Sequence, residues 1–185
     1  MNSNNATTST IVVNMFAGPG AGKSTMTADV YSKLKWQDIE CEMSLEYAKN
    51  KVWEDCTATL NDQIYVFGKQ LHRQFVLEDK VPVIITDSPL ILSILYDEAK
   101  NEQLKALVLQ QFNRNHNINV YLRRRKKYNK NGRMQTHEQA IDKDNQLKAI
   151  LDENGVQYVE MDGTPEAAND IVALIKTKLA EIAAY

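Results

Sequence analysis

One segment constrains this chain more than any other: Ala17-Gly18-Pro19-Gly20-Ala21-Gly22-Lys23-Ser24-Thr25. The apolar run Ile11-Val12-Val13-Asn14-Met15-Phe16 precedes it, and a helical pattern carrying Met26, Val30 and Leu34 follows. A strand, a glycine-rich turn ending in Gly-Lys-Ser, and a helix, in that order, predict a phosphate-binding loop. Glycines let successive backbone N–H groups face inward, and the helix behind them aims its positive dipole end at the same point. Lys23 is then the point charge for the outer phosphates, and the Ser24 hydroxyl a ligand for Mg²⁺. Ala17 stands where the strict pattern has glycine, a small residue in its place. A glycine-rich turn without a ligand does not require strand, lysine, hydroxyl and helix in register. The expectation is a nucleoside triphosphate site.

The rest of the chain alternates strands with helices. After a helix from about Lys23 to Trp36, the strand Ile39-Glu40-Cys41-Glu42-Met43 leads into Ser44-Leu45-Glu46-Tyr47. Helical stretches run roughly from Tyr47 to Asp55 and from Asp62 to Glu78. Ile64, Phe67, Leu71 and Phe75 recur in the second at spacings of three and four, a stripe expected to face the core. Val81-Pro82-Val83-Ile84-Ile85-Thr86-Asp87 is nearly continuous in its apolarity, the mark of a strand buried on both faces of a parallel sheet. A helix-like segment from Pro89 to Tyr96, a helix from Glu102 to Asn113 and the strand Ile118–Leu122 come next. A polar helix from about Thr136 to Glu153 stops at Asn154-Gly155, and Val156–Met161 is the last strand. The turn Asp162-Gly163-Thr164 leads to a final helix from Pro165 to about Ala183. This order predicts an α/β fold, a doubly wound parallel sheet with helices on both faces and its ligands at the carboxyl ends of the strands. A loose tail over residues 1–10 and a single domain over 11–185 are expected, with a basic lid at about 123–136.

Two carboxylates follow strands. Asp87 is placed either to hold Mg²⁺ through water or to cap the helix after Pro89; the buried strand before it favours the metal. Glu46 is either the base that accepts the proton of an attacking hydroxyl or a solvated glutamate at a helix start. Lys49, Lys51 and Trp53 either line an acceptor pocket or belong to the surface and its packing. Between Tyr121 and Arg133 lie seven basic residues and no acid, so with a net charge of −2 the rest of the chain carries −9. That segment reads as a lid whose arginines clamp a phosphoryl group, as a track for a nucleic-acid backbone, or as a solvated loop. Its place between strand and helix, with Asn129-Lys130-Asn131-Gly132 as turn chemistry, favours the lid.

No apolar run approaches the roughly eighteen residues of a membrane span, so no membrane partner is expected. The polar start lacks the features of a signal peptide. Cys41 and Cys56 form no disulfide framework, which suits a reducing compartment and a cytoplasmic location. His72, His116 and His137 show no metal-ligand spacing with either cysteine.

The order Ala-Gly-Pro-Gly-Ala-Gly-Lys-Ser, Glu46-Tyr47, Thr86-Asp87-Ser88 and a basic segment ending in Gly132-Arg133 resembles the small kinases of the P-loop NTPase type. It is similar to the ribosylnicotinamide kinase domain of the bacterial NAD-biosynthesis regulator, and also to phage kinases acting on hydroxymethylated pyrimidines in DNA. The likeness spans about Ile11 to Leu179, with the phosphate loop as its specific part. It implies transfer of the γ-phosphate of ATP to a hydroxyl of a nucleoside-like acceptor, free or within DNA; a phage-encoded member would act in the host cytoplasm. By matching position it implies the triphosphate at Gly18 to Thr25, Mg²⁺ near Ser24 and Asp87, and lid arginines at Arg123, Arg124 and Arg133. It also implies Gly163-Thr164 beside the adenine and Glu46 as the acidic residue after the second strand. Ser88-Pro89 departs from the pairs found in several relatives. The rival class is an NTP-binding regulatory switch or an ATPase subunit. A guanine switch would carry Asn-Lys-x-Asp after a strand, and a ring motor an Asp-Glu pair after Ile85; this chain has neither.

Overall fold

The computed structural model describes residues 9–125 and 135–184. Strand β1 (Ile11–Phe16) is buried at every position, as its apolar run requires. It pairs in parallel with β3 (Val83–Thr86) on one side and β4 (His116–Arg123) on the other. β2 (Cys41–Ser44) and β5 (Val159–Asp162) complete a five-stranded parallel sheet in the order β2-β3-β1-β4-β5. In this register Ile11 lies between Val83 and His116. Parallel neighbours need crossovers, and helices supply them on both faces.

α1 (Lys23–Lys35) and α7 (Ala167–Ala183) cover one face. There Val30, Leu34, Ile171 and Ile175 pack with Val13, Met15, Ile85 and Leu122, all fully or almost fully buried. α4 (Leu92–Tyr96), α5 (Glu102–Phe112) and α6 (His137–Glu153) cover the other, with Val108, Leu147 and Leu151 against Phe16 and Tyr121. Caps fix where these helices begin. Asn101 accepts from the Gln103 and Leu104 N–H groups, and Thr136 with Gln139 forms a reciprocal capping box. α2 (Tyr47–Trp53) and α3 (Gln63–Phe75) stand over the carboxyl end of β2, joined by a 3-10 turn at Thr57–Asn61 that the sequence pattern did not predict.

Three further differences have local causes. β2 begins at Cys41 rather than Ile39, because the Ile39 N–H still donates to the Leu34 carbonyl at 3.1 Å and closes the end of α1. The segment after Pro89 is a tight turn before the short α4, with i→i+3 bonds such as Leu92 N–H to the Pro89 carbonyl at 2.9 Å. On α3 the expected stripe is only half buried: Phe67 is inside, whereas Ile64 and Phe75 are 61% and 58% exposed. The buried face instead carries Gln63, Gln70 and Gln74 beside Val66 and Phe67. Gln70 explains the swap, since its amide accepts from the Tyr47 N–H at 3.0 Å and donates to the Ser44 hydroxyl at 3.2 Å. A buried polar side chain is tolerated when it is bonded in this way.

A row of amides crosses the middle of the sheet. Asn14 of β1 donates to the side-chain oxygens of Asn117 and Asn119 on β4, at 2.8 and 3.0 Å. The Asn117 amide donates to the Phe112 carbonyl at 2.7 Å, and that of Asn119 to the Gln157 carbonyl at 2.9 Å. Among the described residues no helix is long and apolar enough to cross a membrane.

Candidate phosphate-loop site

The loop between β1 and α1 turns through two left-handed positions, Gly20 at φ 76° and Gly22 at φ 106°. A side chain at either would be strained, so the glycines are conformational requirements. Gly22 caps α1 without any side-chain hydrogen bond, which leaves the helix start open to an anion. Lys23 folds back over the loop, its Nζ donating to the Ala17 and Gly18 carbonyls at 2.8 and 3.2 Å. Burial pushes its ammonium below the ordinary lysine value, and the carboxylates of Glu46, Asp87 and Asp144 oppose that.

Ser24 begins the metal question. Its hydroxyl donates to Asp87 Oδ2 at 2.5 Å, and Asp87 Oδ1 accepts the Glu46 N–H at 2.9 Å. The buried carboxylate at the end of β3 thus joins the phosphate loop to the link between β2 and α2. These partners lie away from the helix after Pro89. Ser24 and Asp87 offer hard oxygen donors side by side beside the helix start, a set that fits Mg²⁺.

A cavity of about 520 Å³ opens from the loop, lined by Pro19, Gly20, Gly22, Lys23, Ser24 and Thr25 on that side. Glu46 lies on its wall, and Lys49, Gln63, Gln70, Leu92 and Tyr96 continue it. Its size is that of a pocket for a drug-sized ligand. Lys49 therefore faces the cavity, whereas Lys51 pairs with Glu54 and Trp53 is exposed.

Three arginines at the end of β4 are each committed to a carboxylate. Arg123 Nε and Arg125 Nη2 donate to the two oxygens of Asp162, at 2.6 and 2.9 Å, and so tie β4 to β5. The Arg125 and Arg123 guanidinium groups hold the Asp162 carboxyl below the usual carboxylate range. Arg124 reaches the other way. Its Nε and Nη2 donate to Asp144 Oδ2 at 3.2 and 2.7 Å, and its Nη1 to the Pro19 carbonyl at 2.8 Å. Arg133, like Lys126, Lys127 and Lys130, lies outside the described residues, as does most of the expected lid.

Gly163 meets the loop from the far side. Its N–H donates to the Arg123 carbonyl at 3.0 Å, and a Cβ there would stand 3.2 Å from the carbonyls of Ala21 and Arg123. The turn Gly163-Thr164 therefore abuts Ala21 of the phosphate loop. Asp144 of α6 was not anticipated. It lies on a polar helix with nothing in the local pattern to single it out, and only the fold brings it to Gly18.

A family model described as an AAA domain matches residues 12–168. No curated protein is significantly similar in sequence. Among solved structures, the NadR protein in complex with NR superposes with a TM-score of 0.67 at 16% identity, over 88% of this chain and 50% of that one. This chain thus spans half the length of that protein. The deoxyadenosine kinase from M. mycoides, with products dcmp and a flexible dcdp bound, superposes with a TM-score of 0.53 at 17% identity. That match covers 92% of this chain and 99% of the kinase. At such identities the likeness is one of fold.

Proposed function

This chain belongs to the AAA domain family, and from that premise we propose that it is a kinase. It would transfer the γ-phosphate of ATP to a hydroxyl of a nucleoside-like acceptor, acting in the cytoplasm. The observation that carries the reading is the single cavity onto which Lys23, Ser24 and Glu46 all open. A nucleotide-free wall is needed only if a second substrate binds, and Glu46, Lys49, Gln63 and Tyr96 supply one. Two proteins of this fold support the choice of acceptor class, one solved with NR and one a deoxyadenosine kinase.

In this mechanism the loop from Gly18 to Thr25 receives the phosphates on its backbone N–H groups, and Lys23 turns from the Ala17 and Gly18 carbonyls to the γ-phosphate. Ser24 and Asp87 would hold Mg²⁺, which when bound offsets charge on the β- and γ-phosphates. Glu46 takes the proton of the acceptor hydroxyl as its oxygen attacks phosphorus. Gly163-Thr164 borders the adenine. Arg123, Arg124 and Arg133 are the candidate cations for the transferring group; Arg123 and Arg124 would have to leave Asp162 and Asp144 to touch it.

The basic segment favours a second reading, in which the acceptor is a hydroxymethylated pyrimidine such as 5-hydroxymethyluracil within DNA, the cations tracking its backbone. The test is γ-labelled ATP offered with nucleosides, including NR, with mononucleotides, and with hydroxymethylated DNA. Label on a nucleoside is the expected result, and label on DNA establishes the second reading. Phosphate release with no labelled acceptor would overturn the kinase assignment in favour of an ATPase subunit.

A further inference from the structure

Asp144 joins α6 to two consecutive residues of the phosphate loop. Its Oδ1 accepts the Gly18 N–H at 2.5 Å. Its Oδ2 takes two arms of the Arg124 guanidinium, whose third arm donates to the Pro19 carbonyl. One ion pair therefore holds Gly18 by its N–H and Pro19 by its C=O. Both side chains are largely shielded, with 13% of Arg124 and 18% of Asp144 exposed. Asp144 is itself held in place, because the Tyr121 hydroxyl donates to its backbone carbonyl at 3.0 Å. The approach is close enough that a Cβ on Gly18 would stand 2.7 Å from both the Ala140 carbonyl oxygen and Asp144 Oδ1.

A surface ion pair would be worth little, but here two guanidinium N–H groups converge on one shielded carboxylate oxygen, and the pair is bonded at both ends to backbone that shapes the loop. We propose that Asp144 and Arg124 act together as positioning residues that preset the phosphate loop for a nucleoside triphosphate. Neither needs to touch the nucleotide to do so. The carboxylate sets the start of the loop, and the guanidinium fork fixes the peptide that precedes the left-handed turn at Gly20. Arg124 would then serve through Pro19 and Asp144 without leaving them, in contrast to the phosphoryl clamp that the family likeness implies for it.

The inference rests on the reading of this loop as an ATP site, and nucleotide binding tests it without recourse to turnover. ADP and ATP are titrated calorimetrically into the full chain, wild type and the variants Asp144→Asn, Arg124→Lys and the double variant. Asparagine can still accept from Gly18 but turns an N–H towards the guanidinium; lysine keeps the charge and loses the fork. Each single variant should weaken ATP binding by ~10- to 100-fold, the affinity equivalent of losing a charge-assisted hydrogen bond or two. The double variant should bind no more weakly than the weaker single, because the pair works as a unit. In the kinase assay the KM for ATP should rise while the KM for the acceptor stays within about twofold.

Unchanged ATP affinity in Arg124→Lys and Asp144→Asn would overturn the proposal, as would losses that multiply in the double variant. A fall in thermal stability with unaltered affinity would reduce the pair to a fold contact and overturn it equally. Should Asp144→Asn fail to unfold cooperatively, Arg124→Lys, in which the carboxylate still holds Gly18, decides the matter. A wild type that binds neither nucleotide overturns the phosphate-loop reading itself, and this inference with it.

Discussion

Replacing Gly18 by alanine tests how closely α6 approaches the phosphate loop. The residue is not in the left-handed region, so the cost comes from contact alone. A Cβ would lie 2.7 Å from the Ala140 carbonyl oxygen and Asp144 Oδ1, and 3.0 Å from Asp144 Cγ. Ordinary contact begins at 3.4 Å, so the methyl intrudes by about 0.7 Å on two oxygens at once. One is helix backbone and cannot swing away. The other belongs to a side chain pinned by Arg124. Overpacking of this kind costs about 1–3 kcal/mol, and stretching the bond from Gly18 to a charged acceptor adds about 1–2 kcal/mol. The total of roughly 2–5 kcal/mol corresponds to a melting temperature lower by about 5–20 °C for a chain of this size. Thermal unfolding followed by circular dichroism reads it directly. Gly68→Ala is the control: it sits within α3 with no atom within 4 Å of a built Cβ, and should gain about 0.5–1 kcal/mol. If Gly18→Ala melts within about 2 °C of the wild type while Gly68→Ala behaves as stated, the close approach of α6 to the loop is wrong.

Asp87→Asn should lower turnover by ~100-fold or more and raise the Mg²⁺ concentration for half-maximal rate; an unchanged Mg²⁺ dependence would return Asp87 to a purely structural role. Because the Lys23 ammonium is held below its ordinary value of 10.5 in the free protein, a bound triphosphate should raise it and draw in a proton. ATP affinity should then decline as pH rises through the lowered free-protein value, and calorimetry in two buffers of different ionisation enthalpy should show proton uptake there. The free protein's stability should move the opposite way, rising over that interval, since the unfolded lysine binds its proton more tightly. Uptake that persists in Lys23→Met would assign the proton elsewhere. Leu147→Ala, at a fully buried position of α6, should cost about 2–5 kcal/mol in urea unfolding, and a loss below about 1 kcal/mol would contradict the packing described.

The sheet was legible because its central strands β1 and β3 are buried on both faces and therefore read as nearly continuous apolar runs, Ile11–Phe16 and Val83–Thr86. The loop was legible because its glycines, lysine and serine are adjacent in sequence. α3 was less so. Its inward face is chosen by what Gln70 must bond to on β2 and α2, and the hydrophobic spacing of Ile64, Leu71 and Phe75 carries no record of that partner. Arg124 could be singled out as a cation near phosphates, but its fork lies between Pro19 and Asp144, a relation that depends on the packing of α6. Asp144 itself was invisible for the same reason. A carboxylate on a polar helix differs from its neighbours only through the residues that the fold brings against it.

The amides of Asn14, Asn117 and Asn119 have a consequence for how the sheet is assembled. β-branched and aliphatic side chains would pack almost as well if β4 slid along β1 by two residues, since alternation of faces is preserved by an even shift. The amides would not. Such a slide sets Asn117 or Tyr121 level with Asn14 in place of Asn119 and leaves it one of its two amide partners, and each hydrogen bond lost costs about 0.5–1.5 kcal/mol. Three polar side chains in the centre of an apolar sheet thus act as a vernier, reading the alignment of β1 with β4. That alignment sets how far the phosphate loop, which leaves β1, stands from the arginines that leave β4.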